Sequence, residues 1–174
     1  MNTQIETLLS AQQIATRVAE LAAEINKDYA GKDILLVGTL KGAYIFLADL
    51  SRYLPERTQI DFLKVSSYGD STSPETAVQF DQHPTIDLKN KHVLLVEDIV
   101  DTGHTLAFLR KYLHTKNPAS LRVCALLDKP SRREANLDPI EYLGFSIPDK
   151  FVIGYGLDYA QCYRNLPYIG VLQS

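Results

Sequence analysis

The stretch Val93-Leu94-Leu95-Val96-Glu97-Asp98-Ile99-Val100-Asp101-Thr102-Gly103-His104-Thr105-Leu106 constrains this chain more than any other. It opens on an apolar run rich in Val and Leu, the pattern of a strand buried on both faces of a parallel sheet. Paired acids follow. Burying Glu97 or Asp98 without a partner would be very costly, so both are expected where the strand emerges. In an open α/β sheet that carboxyl edge is where ligands bind.

The turn beyond the acids has its own chemistry. Asp101, Thr102, Gly103 and Thr105 are small or flexible and lead into a segment with helical spacing. Free amides at a helix start, two hydroxyls and a Gly that admits close backbone approach suit a phosphate. The carboxylates do not suit a phosphate directly. They suit ribose hydroxyls, or a Mg²⁺ between acid and pyrophosphate. A phosphate site beside a sugar-hydroxyl site describes a phosphorylated ribose. The chain has neither a Walker lysine pattern nor G-x-G-x-x-G, so the usual triphosphate and dinucleotide readings lack support.

With 174 residues the chain can bury one sizeable core, and 45% hydrophobic with 22% charged residues is ordinary for a globular protein. A net charge of −3 gives no global attraction to nucleic acid or an anionic membrane. Cys124 and Cys162 have no zinc-type spacing and read as reduced, partly buried thiols. No apolar run is long enough for a membrane span, and Met1 to Ser10 lacks a signal-peptide pattern. A cytoplasmic protein is the expectation.

Taken in order, Ser10 is expected to cap a helix reaching about Tyr29, with Gly31 as its stop. Ile14, Val18, Leu21, Ala22 and Ile25 share one face of it. Asp33 to Leu40 reads as a second buried strand, ending in Gly38-Thr39-Leu40-Lys41-Gly42-Ala43 before an apolar helix from Tyr44 to Tyr53. Amides of that turn and Lys41 are candidates to hold a pyrophosphate. Gln59 to Val65 reads as a third strand. It is followed by a polar loop beginning Ser66-Ser67-Tyr68-Gly69, expected to act as a lid at the same edge, with Val78 to Phe80 returning as a short strand. A helix from about Gly103 to Thr115 follows the central motif; His104 and His114 have no partners at metal spacing. Leu121 to Leu127 is the next strand. Lys129, the first base after it, can donate to a ring carbonyl oxygen, while Arg132 and Arg133 read as a solvated basic cluster. Leu137 to Ile147 is less regular. In Phe151-Val152-Ile153-Gly154-Tyr155-Gly156-Leu157-Asp158-Tyr159, Phe151 offers an aromatic face, Val152 a backbone for edge contacts and Asp158 a late carboxylate, with Arg164 beyond. Pro167 to Val171 reads as a closing strand. No internal repeat or linker divides the chain.

These motifs, in this order and over nearly the whole chain from Ser10, resemble the type I phosphoribosyltransferase family, and within it the bacterial hypoxanthine (hypoxanthine-guanine) branch. The Glu97 to Gly103 run carries the general resemblance. Asp128-Lys129-Pro130 and the Phe151 to Tyr159 motif carry the 6-oxopurine part.

The resemblance implies an α/β fold in one domain over 1–174: a central, mostly parallel sheet flanked by helices (core about 30–130) and a small hood from both chain ends (about 1–12 and 131–174). It implies Mg²⁺-dependent transfer of phosphoribose from phosphoribosyl pyrophosphate to N9 of hypoxanthine or guanine, giving IMP or GMP and pyrophosphate. Leu40, Lys41, Gly42, Glu97, Asp98, Asp101, Thr102, Gly103, His104 (through its backbone), Thr105 and Arg164 would bind phosphoribosyl pyrophosphate. Lys129, Phe151, Val152 and Asp158 would form the purine site, Glu97, Asp98 and Asp158 would hold metal, and Ser66, Ser67, Tyr68 and Gly69 would form the lid. Asp101 is the candidate catalytic residue, accepting or sharing a proton at purine N7. In the family the peptide at the Leu40-Lys41 position is often cis. A homodimer or homotetramer is implied, with no nucleic-acid or membrane partner.

Two rivals stand beside this reading. One is a related transferase acting on xanthine or a pyrimidine. The other is a regulator of the same fold that senses phosphoribosyl pyrophosphate and binds nucleic acid, which would be expected to show a basic face.

Overall fold

The computed structural model describes residues 4–67 and 78–173. Apolar strand sequences set its centre. β1 (Ile5–Leu9) leads into α1 (Ala11–Asp28), then β2 (Ile34–Leu40), α2 (Tyr44–Ser51), β3 (Gln59–Ser67), β4 (Val78–Gln82), β5 (His92–Val100), α3 (His104–His114) and β6 (Ser120–Asp128). A turn of 3-10 helix at Pro130–Arg132, then β7 (Tyr142–Ser146), β8 (Val152–Ile153) and β9 (Ile169–Leu172) complete the described chain.

Six strands form one sheet in the order β4-β3-β2-β5-β6-β7. All its pairs are parallel except β3 with β4. This is the expected central, mostly parallel sheet flanked by helices. Side chains alternate across a strand, so each apolar run feeds two cores. Leu36, Leu94, Val96, Cys124 and Leu126 meet α1 and α2 on one face. Leu35, Val37, Leu95, Val123 and Ala125 meet Leu106, Leu109 and Leu113 of α3 on the other.

Helix α1 starts where its sequence says it should. Ser10 Oγ accepts from the Gln13 amide at 3.2 Å and the Gln13 side chain accepts from the Ser10 amide at 2.9 Å, a reciprocal cap. Helix α2 stops at Ser51 rather than reaching Tyr53. Strands β3 and β4 both run beyond their expected ends, because they pair with each other from Lys64–Gln82 to Ser67–Val78.

Three strands, β1, β7 and β8, were not anticipated. The stretch read as irregular contains β7, which joins β6 in parallel and extends the central sheet past the boundary expected near residue 130. Arg17 on α1 holds it from the side, donating to the Leu143 and Gly144 carbonyls at 2.8 and 3.2 Å. Near the start of the chain, β1 pairs antiparallel with β9, and β9 with β8, in a separate three-stranded sheet. These strands are short and their patterns mixed; pairing between segments far apart in sequence, rather than local propensity, makes them strands.

The strand order also fixes where a ligand can enter. From β2 the chain moves outward to β3 and β4, then crosses back to place β5 on the other side of β2. The gap between β2 and β5 is therefore the topological switch point, where open α/β sheets bind ligands. Pairing between β2 and β5 ends at Gly38–Val96, while β5 and β6 remain paired as far as Val100–Asp128. The cleft opens in that step.

Candidate active site

Because β5 continues to Val100, the acid pair lies within the strand rather than beyond its end. Glu97 is buried at 5% exposure, against the expectation that both acids would emerge with the chain. It can lie there because its β2 neighbour has already turned away and left a polar partner. Thr39 Oγ1 donates to Glu97 Oε2 at 2.6 Å. Glu97 Oε1 is buried with no hydrogen-bond partner among the described residues. Asp98 accepts from the Ile99 amide at 2.9 Å and lies against Gly42, where a Cβ would fall inside contact distance of Asp98 Oδ2.

Burial, with the neighbouring Asp98 charge adding to it, pushes the Glu97 carboxyl up to about 8. Desolvation likewise raises Asp98, to about 6; the Ile99 amide and the Arg164 charge work against that rise and Asp158 adds to it. A carboxyl whose folded pKa exceeds its unfolded value binds an extra proton when folded, so stability falls as pH climbs through that interval. The ligand-free protein is therefore expected to lose thermal midpoint as pH rises from the ordinary carboxyl value of 4.5 toward about 8. The loss should be on the order of 1 kcal/mol per pH unit over part of that range. Melting curves across that range, with Glu97→Gln as the control that flattens the slope, check this; a midpoint that climbs instead would mean an ionised Glu97 throughout.

The turn after β5 wraps the other side of the cleft. Gly103 has φ 92°, a left-handed conformation that admits Gly with least strain, and starts α3. Thr102, Gly103 and Thr105 line one cavity of about 250 Å³ together with Leu40, Gly42, Ser66, Glu97, Asp98 and Asp101. The His104 side chain lies to one side, its Nε2 3.0 Å from Glu134 Oε2, leaving its backbone at the helix start.

The other expected residues do not line this cavity, and their contacts fall in two groups. Lys41 Nζ donates to Gln161 Oε1 at 3.2 Å, and Arg164 pairs with Asp158 at 2.7 Å while donating to the Gly156 carbonyl. A Cβ at Gly156 would collide with the Gly42 carbonyl, so this late loop packs directly on the β2 turn. The Leu40-Lys41 peptide is cis. In the second group, Lys129 is buried, with Nζ 3.9 Å from Asp101 Oδ2. Val152 is buried in β8, and Phe151 is 58% exposed with its ring edge-to-face with Tyr159. Ser66 Oγ donates to Asp81 at 2.9 Å, and the Ser67 backbone ends β3. Tyr68 and Gly69, expected in the lid, lie outside the described residues.

Several site residues escaped the sequence reading. Thr39 sat within a recognised turn, yet nothing local marks it as the partner of Glu97. Gln161 bridges Lys41 and Arg164. Arg132 and Arg133 are not a merely solvated cluster: Arg132 pairs with Asp101 at 3.0 Å, and Arg133 holds Asp128 and the Asp101 carbonyl. Of the two free thiols, Cys124 is buried but Cys162 is exposed.

The donor set of the cleft suits Mg²⁺. An orphaned buried carboxylate oxygen on Glu97, beside an Asp98 carboxylate cradled by Gly42, offers hard oxygen ligands only. Among the described residues no group of three or more His, Cys, Asp or Glu could hold a metal. That fits an ion which takes one or two carboxylates and completes its shell with water and substrate oxygens.

A model of the phosphoribosyl transferase domain matches residues 4–160. A hypoxanthine phosphoribosyltransferase of Escherichia coli (strain K12) is 48% identical over 168 residues, covering 95% of this chain and 94% of that protein. A hypoxanthine-guanine phosphoribosyltransferase of Mycobacterium avium is 50% identical over 171 residues, covering 95% and 84%. Among solved structures, a hypoxanthine-guanine phosphoribosyltransferase from Bacillus anthracis superposes with a TM-score of 0.93 at 42% identity, covering 98% of this chain and 100% of that one. With its cleft at the switch point, its acid pair and its glycine turn, the chain belongs to the phosphoribosyl transferase family.

Proposed function

We propose that this protein is a Mg²⁺-dependent enzyme of purine salvage. It transfers 5-phosphoribosyl from phosphoribosyl pyrophosphate to N9 of hypoxanthine, guanine or both, yielding IMP or GMP and pyrophosphate. The observation that carries the reading is the Glu97–Asp98 pair at the β2/β5 step, with the Gly103 turn on one side and the buried Lys129 beyond Asp101. The names of the relatives support the choice of base.

The roles follow from the chemistry. The bond from purine N9 to ribose C1 forms as the C1–oxygen bond to pyrophosphate breaks, and that electron pair leaves with pyrophosphate. C1 becomes cation-like in between. Glu97 and Asp98 hold the ribose hydroxyls; Asp98, and Glu97 once it has given up its proton, put negative charge near the developing cation. Asp101, Thr102, Gly103, the His104 amide and Thr105 hold the 5′-phosphate, aided by the positive end of α3. Leu40, Lys41, Gly42 and Arg164 hold the pyrophosphate. Bound Mg²⁺ would be held by Glu97 and Asp98 on the ribose side and by Asp158 on the pyrophosphate side, and would neutralise charge on the leaving group. Lys129 donates to the 6-oxygen, the Val152 backbone reads the ring edge and Phe151 offers its exposed face to the base. Asp101 accepts or shares the purine proton at N7. Ser66 stands at the cavity wall, where exclusion of water protects the donor from hydrolysis.

In this reading the three-stranded sheet is the hood over the cleft, and the protein works in the cytoplasm as a homodimer or homotetramer. No helix among the described residues is long and apolar enough to cross a membrane. The test is a steady-state assay with Mg²⁺ and phosphoribosyl pyrophosphate, offering hypoxanthine, guanine, xanthine, adenine and uracil in parallel. Turnover of hypoxanthine or guanine is expected. Binding of phosphoribosyl pyrophosphate with no turnover of any base would overturn the enzyme and favour a regulator.

A further inference from the structure

We propose that Asp149 is a positioning residue for base recognition, holding the Lys129 ammonium where a purine 6-oxygen meets it; the proposal rests on the reading above. Lys129 is buried, its side chain 8% exposed, and its Nζ lies between two carboxylates, 3.9 Å from Asp101 Oδ2 and 3.7 Å from Asp149 Oδ1. Both distances exceed a hydrogen bond. These carboxylates therefore balance the ammonium's charge without consuming its donors, which among the described residues make no hydrogen bond and can serve a carbonyl oxygen.

The second oxygen of each carboxylate faces Arg132. Its Nε is 3.0 Å from Asp101 Oδ1 and its Nη1 is 3.7 Å from Asp149 Oδ2. The four residues close a ring of alternating charge. The fold brings its halves together: Asp128 on β6 is in register with Ser146 on β7, and the Ile147 amide donates to the Asp128 carbonyl at 2.9 Å. Lys129 and Asp149 thus leave adjacent parallel strands side by side.

The ring assigns different work to its two acids. When Asp101 takes a share of the purine proton, it loses negative charge beside a buried cation. Lys129 then depends on Asp149, which has no part in the proton transfer. Asp149 keeps the ammonium charged and aimed while the base is held and while it reacts, so it acts through Lys129 and not on the substrate.

The experiment uses the full-length protein with Asp149→Asn, assayed at saturating phosphoribosyl pyrophosphate. KM for hypoxanthine is expected to rise about three- to sixfold, as loss of one partly exposed charge partner implies. KM for phosphoribosyl pyrophosphate and the thermal midpoint should stay where they are, because Asp149 is half exposed and meets the phosphate turn only through the Lys129 and Arg132 side chains, leaving the Arg132–Asp101 pair in place. Lys129→Gln combined with Asp149→Asn should cost no more than Lys129→Gln alone, since both act through one ammonium. An unchanged KM for hypoxanthine, equal rises in both KM values, or additive effects in the double variant would each overturn the assignment. Absence of turnover by the unaltered protein would instead overturn the parent reading, and this one with it.

Discussion

Asp101→Asn is expected to lower kcat for hypoxanthine about 10²–10⁴-fold, the span typical of a lost general base. Both KM values should change little. Asn has nearly the same shape and can still accept from Arg132, whose Nε lies 3.0 Å from Asp101 Oδ1. What it cannot do is take a proton from the purine ring. The turn itself should persist, because the Lys129 amide donates to the Val100 carbonyl and the Glu134 and Ala135 amides to the Thr102 carbonyl, all through backbone. Steady-state kinetics with direct measurement of phosphoribosyl pyrophosphate binding separates the two roles given to Asp101. Intact binding with a collapsed kcat supports the proton acceptor; weakened binding with kcat preserved would leave Asp101 only its phosphate role.

Gly42→Ala is the second large effect. A methyl group at Gly42 would occupy the space of Asp98 Oδ2, and the Gly42 carbonyl is packed so closely on Gly156 that no Cβ fits between them. The added carbon cannot be absorbed by moving the β2 turn, so the Asp98 carboxylate must swing away. That would move the carboxylate proposed to hold metal and ribose by a distance comparable to a bond length, and misplacement on that scale costs about 10²-fold. The expectation is a fall of at least that order in kcat/KM for phosphoribosyl pyrophosphate, with Mg²⁺ dependence shifted to higher concentration. Calorimetric titration with Mg²⁺ and substrate checks it. Wild-type affinity in Gly42→Ala would mean that Asp98 is not a ligand.

Much of this site was legible in the sequence because its largest parts are local. The runs around Val93 and Leu35 announce buried strands, and each is followed within a few residues by its own ligand-facing turn. What escaped depends on distance along the chain. Thr39 and Glu97 meet across the β2/β5 step, and only the strand order shows that a hydroxyl lies beside that carboxylate. The Arg132–Asp101 and Lys129–Asp149 pairs depend on how the connections after β5, β6 and β7 fold over one another. An acid within a strand reads as an acid beyond its end when the neighbouring strand's departure is unknown, and so Glu97 was expected in the open. β1, β7 and β8 escaped for a similar reason: each is a strand because of a partner, not because of its own pattern.

The pairing of β1 with β9 has a consequence in time. Ile5 is matched with Leu172, and among the described residues β1 has no other sheet neighbour. On a ribosome adding roughly 5–20 residues per second, the start of the chain must wait on the order of ten seconds for its partner to be made. By then every strand of the six-stranded sheet, from β2 through β7, has already been synthesised. The β2 and β5 turns that line the cleft can thus be assembled while the three-stranded sheet is still being translated. A nascent chain halted before β9 would carry the acid pair and the glycine turn but no partner for the Val152 strand.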